Sequence, residues 1–442
     1  MTRRSAVFAG VAALCAVIAS PVSAQVIRTR PFPGLFGSGD PAKSVTQVDF
    51  MSFLAGGHES STSSLGAGGV LGASKSDSNF GNLVFRGRLA HQGRRTAFGA
   101  SGGATTTYYG GTNGLSPLSL SATANFSGAV GRRGSFSVVQ SMFYSPYYVY
   151  GMPVADVPEG SEPDPDPGTG DGDPTVDPRI DQRVARLSTR GYSTSATAGQ
   201  RVGQDGAFFA SYRLSYVDYA PGVYDYLTQA PHAGYRHKIS RFGYVLGSYG
   251  VQMYQYRNSG FATLNSQNVA LGVGYDRPLS VWRRTTVGFN VSTALVDQGS
   301  FTTVYLNGNA RLYRRFGRTG LGGISYFRGQ QVLEGFELPF FTFSDAVTGT
   351  FSTRLGRDIG VSGRLSYSHN TYTVDTLKNA FDSIYVSGRV QVPVMWALAF
   401  YVEGYYADHD FQRRLGLLQG IPSQTERVGA RVGLTVQIPV YR

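Results

Sequence analysis

From Val45 onward, apolar and polar residues alternate with period two, over runs longer than the five or six residues of an ordinary strand. The stretch PLSLSATANFSGAVGRRGSFSVVQSMFY at 117–144 is representative. Leu118, Leu120, Ala122, Ala124, Phe126, Gly128 and Val130 share one face, and Ser119, Ser121, Thr123, Asn125 and Ser127 share the other. Strict alternation over this length is a strand pattern, not a helical one. The wet face is nearly uncharged, unlike the solvated outer face of a sandwich, which must also bury its apolar face against a second sheet.

The alternation repeats along the chain. Val287, Phe289, Val291 and Leu295 define an apolar face in 285–296; Ile359, Val361, Leu365 and Tyr367 do so in 359–370. Residues 425–440 alternate Val428, Ala430, Val432, Leu434, Val436, Ile438 and Val440 against Arg427, Arg431, Thr435 and Gln437. Two segments are ragged: 135–149 loses phase at Gln140, and 320–331 reads either way. Short turns, mostly basic, punctuate the pattern at 91–96, 131–134, 200–206, 237–243, 276–284, 314–320, 354–360 and 392–396. They recur roughly every 40 residues once an insertion at 151–183 is set aside, which marks a repeated supersecondary unit. Each unit reads as a hairpin with one tight turn and one longer loop. About nine hairpins give about eighteen strands, with sixteen as the fallback count.

Composition agrees with strands and turns. Glycine numbers 58 of 442 residues, nearly double the usual share of roughly 7%, and tyrosine numbers 28. The formal charge is +12, but lysine occurs only at Lys43, Lys75, Lys238 and Lys378. The excess is arginine dispersed along the whole chain, which argues against a nucleic-acid-binding arm.

Arg3 and Arg4, the apolar run 7–20 and the small residues Val22-Ser23-Ala24 form a secretory signal peptide over 1–24. Residues 25–44 follow as a periplasmic Pro/Gly leader without periodicity, too short to fold as a plug inside a barrel. Cys15 lies within the signal peptide, so disulfides cannot hold the exported chain. No later segment resembles a membrane-spanning helix. Long alternating strands, uneven connections and export together predict an all-β fold: a transmembrane antiparallel barrel over 45–442 in the outer membrane, both termini periplasmic. Its apolar face meets lipid, and closure removes the edges an open sheet of this width would expose.

Over 45–442 the chain resembles, as architecture, the outer-membrane β-barrel proteins of Gram-negative bacteria, the porin-like class. In that class the last strand ends on an aromatic residue after apolar alternation. Here the alternation reaches Val440, Pro439 interrupts it, and the chain closes on Tyr441-Arg442. The resemblance implies outer-membrane lipid and the barrel-assembly machinery as partners, and a channel as the function.

Strand parity puts Arg86, Arg88, Arg213, Arg311, Arg364, Arg389, Arg427 and Arg431 on the wet face, with Glu403 and Asp49 as the acids there. In an aqueous barrel such arginines focus a positive potential, which predicts passive passage of solutes with a preference for anions. The bland alternative is that they pair with acids and brace the wall. An export conduit for an acidic exopolysaccharide and a non-conducting structural or adhesion barrel are the other readings. The turn arginines read as solvated rims. Tyr108, Tyr109, Tyr144, Tyr147, Tyr148, Tyr150, Tyr216, Tyr219, Tyr254, Tyr256, Tyr401, Tyr405 and Tyr406 read as interfacial girdles.

The insertion is acidic, Pro/Gly-rich and expected on an extracellular loop. Asp164, Asp166, Asp171 and Asp173 lack the full calcium-loop pattern, since Pro167 and Gly168 break it. They read as a solvated loop or as a gate that enters the lumen. Asp408-His409-Asp410 reads as a loop without a serine partner. No nucleophile elbow, zinc-ligand pair or phosphate loop occurs. The sequence therefore predicts no enzyme, no cofactor, no metal and no nucleic-acid partner, and leaves the oligomeric state open.

Overall fold

The computed structural model describes residues 45–441 except 66–73, 110–117, 146–187, 220–224, 258–263, 279–284, 298–301, 318, 334–339, 357–358, 375–376, 396 and 412–421. The expected signal peptide at 1–24, the expected leader at 25–44 and the 151–183 insertion lie outside the described residues.

The described chain is an eighteen-stranded antiparallel barrel. Its first strands are β1 (Val45–Leu65), β2 (Ser74–Gln92), β3 (Thr96–Tyr109), β4 (Leu118–Val130), β5 (Gly134–Ser145) and β6 (Thr189–Val202). Next come β7 (Gly206–Tyr219), β8 (Asp225–Lys238), β9 (Gly243–Arg257), β10 (Leu264–Pro278), β11 (Thr285–Asp297) and β12 (Thr302–Phe316). The last are β13 (Gly320–Leu333), β14 (Phe340–Leu355), β15 (Ile359–Val374), β16 (Leu377–Met395), β17 (Leu398–Phe411) and β18 (Pro422–Tyr441). Each strand pairs with its sequence neighbours, and β1 pairs with β18 to close the sheet. Eight connections, β2–β3 and every second one after it to β16–β17, fall at or beside the turns the sequence placed, at one end of the barrel, the short-turn end. By the convention of such barrels this is the periplasmic end. Gly131 and Gly203 open two of these turns with φ of 64° and 66°, a backbone that a side chain would strain.

The register fixes one outward parity per strand. Along β4, Leu118, Leu120, Phe126 and Val130 point out and are exposed, and Ala104, the partner of Leu120, continues that face on β3. The same face carries Phe50 and Leu54 on β1, Leu271 on β10, Leu306 on β12, Leu365 on β15 and Ile438 on β18, all exposed. An unbroken apolar exterior of this extent is stable only in hydrocarbon, and closure satisfies the backbone groups there. The molecule is an integral membrane β-barrel of the outer-membrane type.

The ragged segments also resolve. Strand β5 pairs with β4 without a shift from Val130↔Gly134 to Leu120↔Tyr144. Gln140 faces out, while Val139 and Phe143 face in and remain exposed. The phase was lost because the side chains break the pattern, not because the strand breaks. In β13 the even residues Ile324 and Tyr326 face out. Pro439 does not end β18, contrary to the sequence reading. The strand runs on to Tyr441, and the register against β1 shifts between Val48 and Asp49, where proline has no N–H for the ladder.

The glycine and tyrosine enrichment has a common cause on the inner face. Gly429, Gly433, Gly323 and Gly274 sit directly opposite Tyr405, Tyr401, Tyr313 and Tyr244 in the register. A Cβ at each glycine would run into the ring of its partner tyrosine. Gly57 and Phe80 on β1 and β2 repeat the relationship. Each glycine makes room for an aromatic ring laid across the neighbouring strand.

Candidate functional site: the inner face of the barrel

The inner face has two unlike walls. Along β3–β7 it is open: Ser101, Ser121, Thr123, Val139, Phe143 and Arg213 are exposed although they face inward. Along β14–β18 and into β1–β2 it is packed. There β17 alternates buried and half-buried residues from Tyr401 to His409, the inverse of a surface strand. Ser344, Ser366, Ser368, Asn370 and Ser383 have no exposure, and neither does Ala346.

Ion pairs hold the packed wall at the closure seam. Arg427 of β18 grips Glu59 of β1 bidentately, with Nη2 at 2.6 Å from Oε1 and 2.7 Å from Oε2 and Nε at 3.0 Å from Oε1. The Tyr405 hydroxyl of β17 donates to Glu59 Oε2 at 2.5 Å, so one carboxylate gathers three consecutive strands. Lower on the same wall, Arg431 Nη2 donates to Glu403 Oε1 at 2.7 Å. All four charged groups are at least nine-tenths buried. Burial without a partner would be prohibitive for any of them, and fork-to-carboxylate geometry supplies that partner. Arg389, opposite Glu403 in the register, lies with its guanidinium 4.1 Å from the Tyr401 ring centroid.

All eight sequence-identified arginines and Glu403 fall on the inward parity. Arg86, Arg88, Arg311, Arg364 and Arg389 occupy the short-turn half of their strands, Arg213 and Arg431 sit near mid-strand, and Arg427 is in the long-loop half. Arg213 is exposed on the open wall. Two of the eight are ion-paired in the packed wall. Arg427 and Arg431 are neutralised by Glu59 and Glu403 and act as braces. Asp49 is on the inward parity opposite Arg88 and accepts a hydrogen bond from Gln47 Nε2 at 2.7 Å.

Sequence reasoning missed Glu59, because HESSTSS around it is polar on both faces and offers no parity. It also missed Arg236, Arg315 and Arg354, which the register puts on the inward parity at the short-turn end. Arg315 and Arg354 fall within the expected turns, although their parity was available. The tyrosine girdle is corrected in part. Tyr108, Tyr144, Tyr216 and Tyr406 face out, but Tyr254, Tyr401 and Tyr405 face in and are buried. Apolar neighbours on the outward parity had already claimed the lipid face at those positions.

Asp408-His409-Asp410 lies on β17, not in a loop. His409 faces in and shares a 2.8 Å hydrogen bond with Ser383 Oγ through Nδ1. The pair has the geometry of a nucleophile and base, yet Ser383 has no exposure and His409 only 3%. Asp164, Asp166, Asp171 and Asp173 lie outside the described residues.

No protein-family profile matches the chain, and no curated protein does. Solved structures similar to it include Pseudomonas aeruginosa OpdQ, at a TM-score of 0.44 and 8% identity over 90% of this chain and 98% of that one. Pseudomonas aeruginosa OccK11 (OpdR) gives 0.44 and 9%, over 91% of this chain and 100% of that one. The FrpB iron transporter from Neisseria meningitidis gives 0.42 and 7%, over 89% and 81%.

Proposed function

We propose that this barrel is a passive outer-membrane channel whose interior favours anionic solutes. The observation that carries the reading is the charge balance of the inner face. Glu59 and Glu403 are each consumed by an arginine. Of the other acids on the inward parity, Asp49 sits opposite Arg88. Against them stand Arg86, Arg88, Arg213, Arg311, Arg364 and Arg389, so the surplus is positive. Charge surplus in a channel bounded by a low-dielectric wall raises the local concentration of the opposite ion.

The open inner wall supports conduction by the same reading. Small hydroxyl side chains at Ser101, Ser121 and Thr123 are wetted on the side away from lipid. Passage down a gradient then needs no catalytic group and no cofactor. The packed wall braces the barrel, and the open wall borders the solute path.

The test is the reversal potential of the refolded chain in a planar bilayer under a salt gradient. A reversal potential on the anion side, reduced in Arg213→Ser and Arg364→Ser, is the expected result. Conductance with no preference, or with cation preference, overturns the anion reading. Insertions that stay silent overturn the channel and leave a structural barrel.

A further inference from the structure

We infer that the outer surface over β5–β9 near the short-turn end is a binding site for one anionic glycerophospholipid. The wall here is concave. Ala198, Ala210 and Ala233 form a single register row across β6, β7 and β8, and all three face out. Phe136 of β5 and Tyr249 of β9 bound the row at its two ends, and the mutually tilted rings of Phe208 and Tyr235, with centroids 4.7 Å apart, bound it below. Together they line a shallow, open apolar groove of about 830 Å³. Leu271 lines its far edge, and elsewhere large side chains such as Leu306 and Leu365 cover the outward face. A floor of three methyl groups between four aromatic rings is a channel for a hydrocarbon chain.

A second, independent feature names the headgroup. Directly below the groove three turns are tied together through the backbone. The Arg201 N–H donates to the Arg133 carbonyl at 2.9 Å, and the Lys238 N–H donates to the Asp205 carbonyl at 2.8 Å. The turns so joined carry Arg132, Arg133, His237 and Arg241 as one ledge, every member exposed, with Asp205 the acid among them, while Arg201 and Lys238 fall on the inward parity. His237 Nδ1 lies 3.2 Å from the Tyr235 hydroxyl, so the ledge meets the groove at a polar contact. Guanidinium forks match phosphate oxygens, and basic side chains at a membrane surface attract anionic lipid. An apolar groove ending on a basic ledge at the boundary of the leaflet fits a lipid with a net negative headgroup. It does not favour a zwitterionic one, and a second copy of the chain would have to place its own basic ledge against this one.

The refolded full chain in detergent is titrated with phosphatidylglycerol and with phosphatidylcholine of the same acyl chains, and retention is read by native mass spectrometry. One phosphatidylglycerol is expected to stay bound where phosphatidylcholine is lost. Arg132→Ser/Arg133→Ser should weaken it about fivefold per arginine removed, with phosphatidylcholine unaffected. Ala210→Phe, which fills the groove floor and leaves every charge in place, should weaken it as well. Ala233→Met serves where Ala210→Phe fails to give the folded, heat-modifiable band on a gel. Equal retention of both lipids, or native retention by the arginine variant, overturns the site and leaves ordinary boundary lipid. Protein dimers that persist without lipid and vanish in Ala210→Phe also overturn it, in favour of a second copy.

Discussion

Tyr405 on β17 faces Gly429 on β18 across the register, and its hydroxyl reaches past that strand to Glu59 on β1. The glycine is what lets the ring cross. A methyl group at Gly429 would collide with the ring, whereas one at Gly388, on the lipid-facing parity of β16, would meet nothing within 4 Å. Gly429→Ala should therefore destabilise the refolded barrel by about 1–3 kcal/mol, the usual cost of overpacking. Gly388→Ala should be neutral or slightly stabilising. Urea unfolding in lipid vesicles compares the two, and equal effects would refute the ring-over-glycine account.

The Glu59–Arg427 pair closes the seam between the first and last strands. Glu59→Gln keeps the shape and removes the charge that compensates a buried guanidinium. The expected loss is about 3–5 kcal/mol, the scale for breaking one side of a buried pair. The double variant Glu59→Leu/Arg427→Met should recover most of it, because no charge is then left unpaired. Additive losses in the double variant would mean that each group contributes by separate contacts. Assembly yield is a second readout, since β1 and β18 must meet for the barrel to close.

The architecture was largely legible because a closed sheet in lipid obeys one rule along its whole length. Lipid demands an apolar residue at every second position, and the short turns announce themselves with Gly131-Arg132-Arg133-Gly134 and its relatives. Strand number, turn positions and the inward side of the arginines all follow from that rule. The inner face obeys no such rule. Water, hydroxyls, aromatic rings and ion pairs all satisfy it, so Phe143 can face in and Tyr401 can be buried there. Pairing between Glu59 and Arg427 spans nearly the whole chain in sequence. Only closure brings them together, and single-strand parity could not reveal it.

Ser383 and His409 allow a sharp check for enzymatic chemistry at the one buried serine–histidine pair described on the inner face. Their 2.8 Å hydrogen bond satisfies two buried groups in the packed wall, and a fully buried serine cannot meet a substrate. His409→Ala should cost about 1–3 kcal/mol of stability, because the hydroxyl loses its buried partner. The native barrel should not react with a fluorophosphonate probe at Ser383. Stoichiometric labelling lost in His409→Ala would instead identify an activated nucleophile.

Glu403 makes the charge reading of the lumen testable in both directions. Its Oε1 is held by Arg431, and the pair adds no net charge to the inner wall. Glu403→Gln removes the negative member and uncovers the guanidinium, so the reversal potential should move further toward anions. Arg364→Ser removes a cation of the surplus and should move it the other way. Both shifts should shrink as salt rises, since screening shortens the reach of a charge to about 3 Å at 1 M. Each variant is first checked for the heat-modifiable folded band, because Glu403→Gln leaves a buried cation. Opposite shifts would mean that ion preference follows the arithmetic of inner-face charge. Shifts in the same direction, or none, would mean that selectivity is set elsewhere along the path.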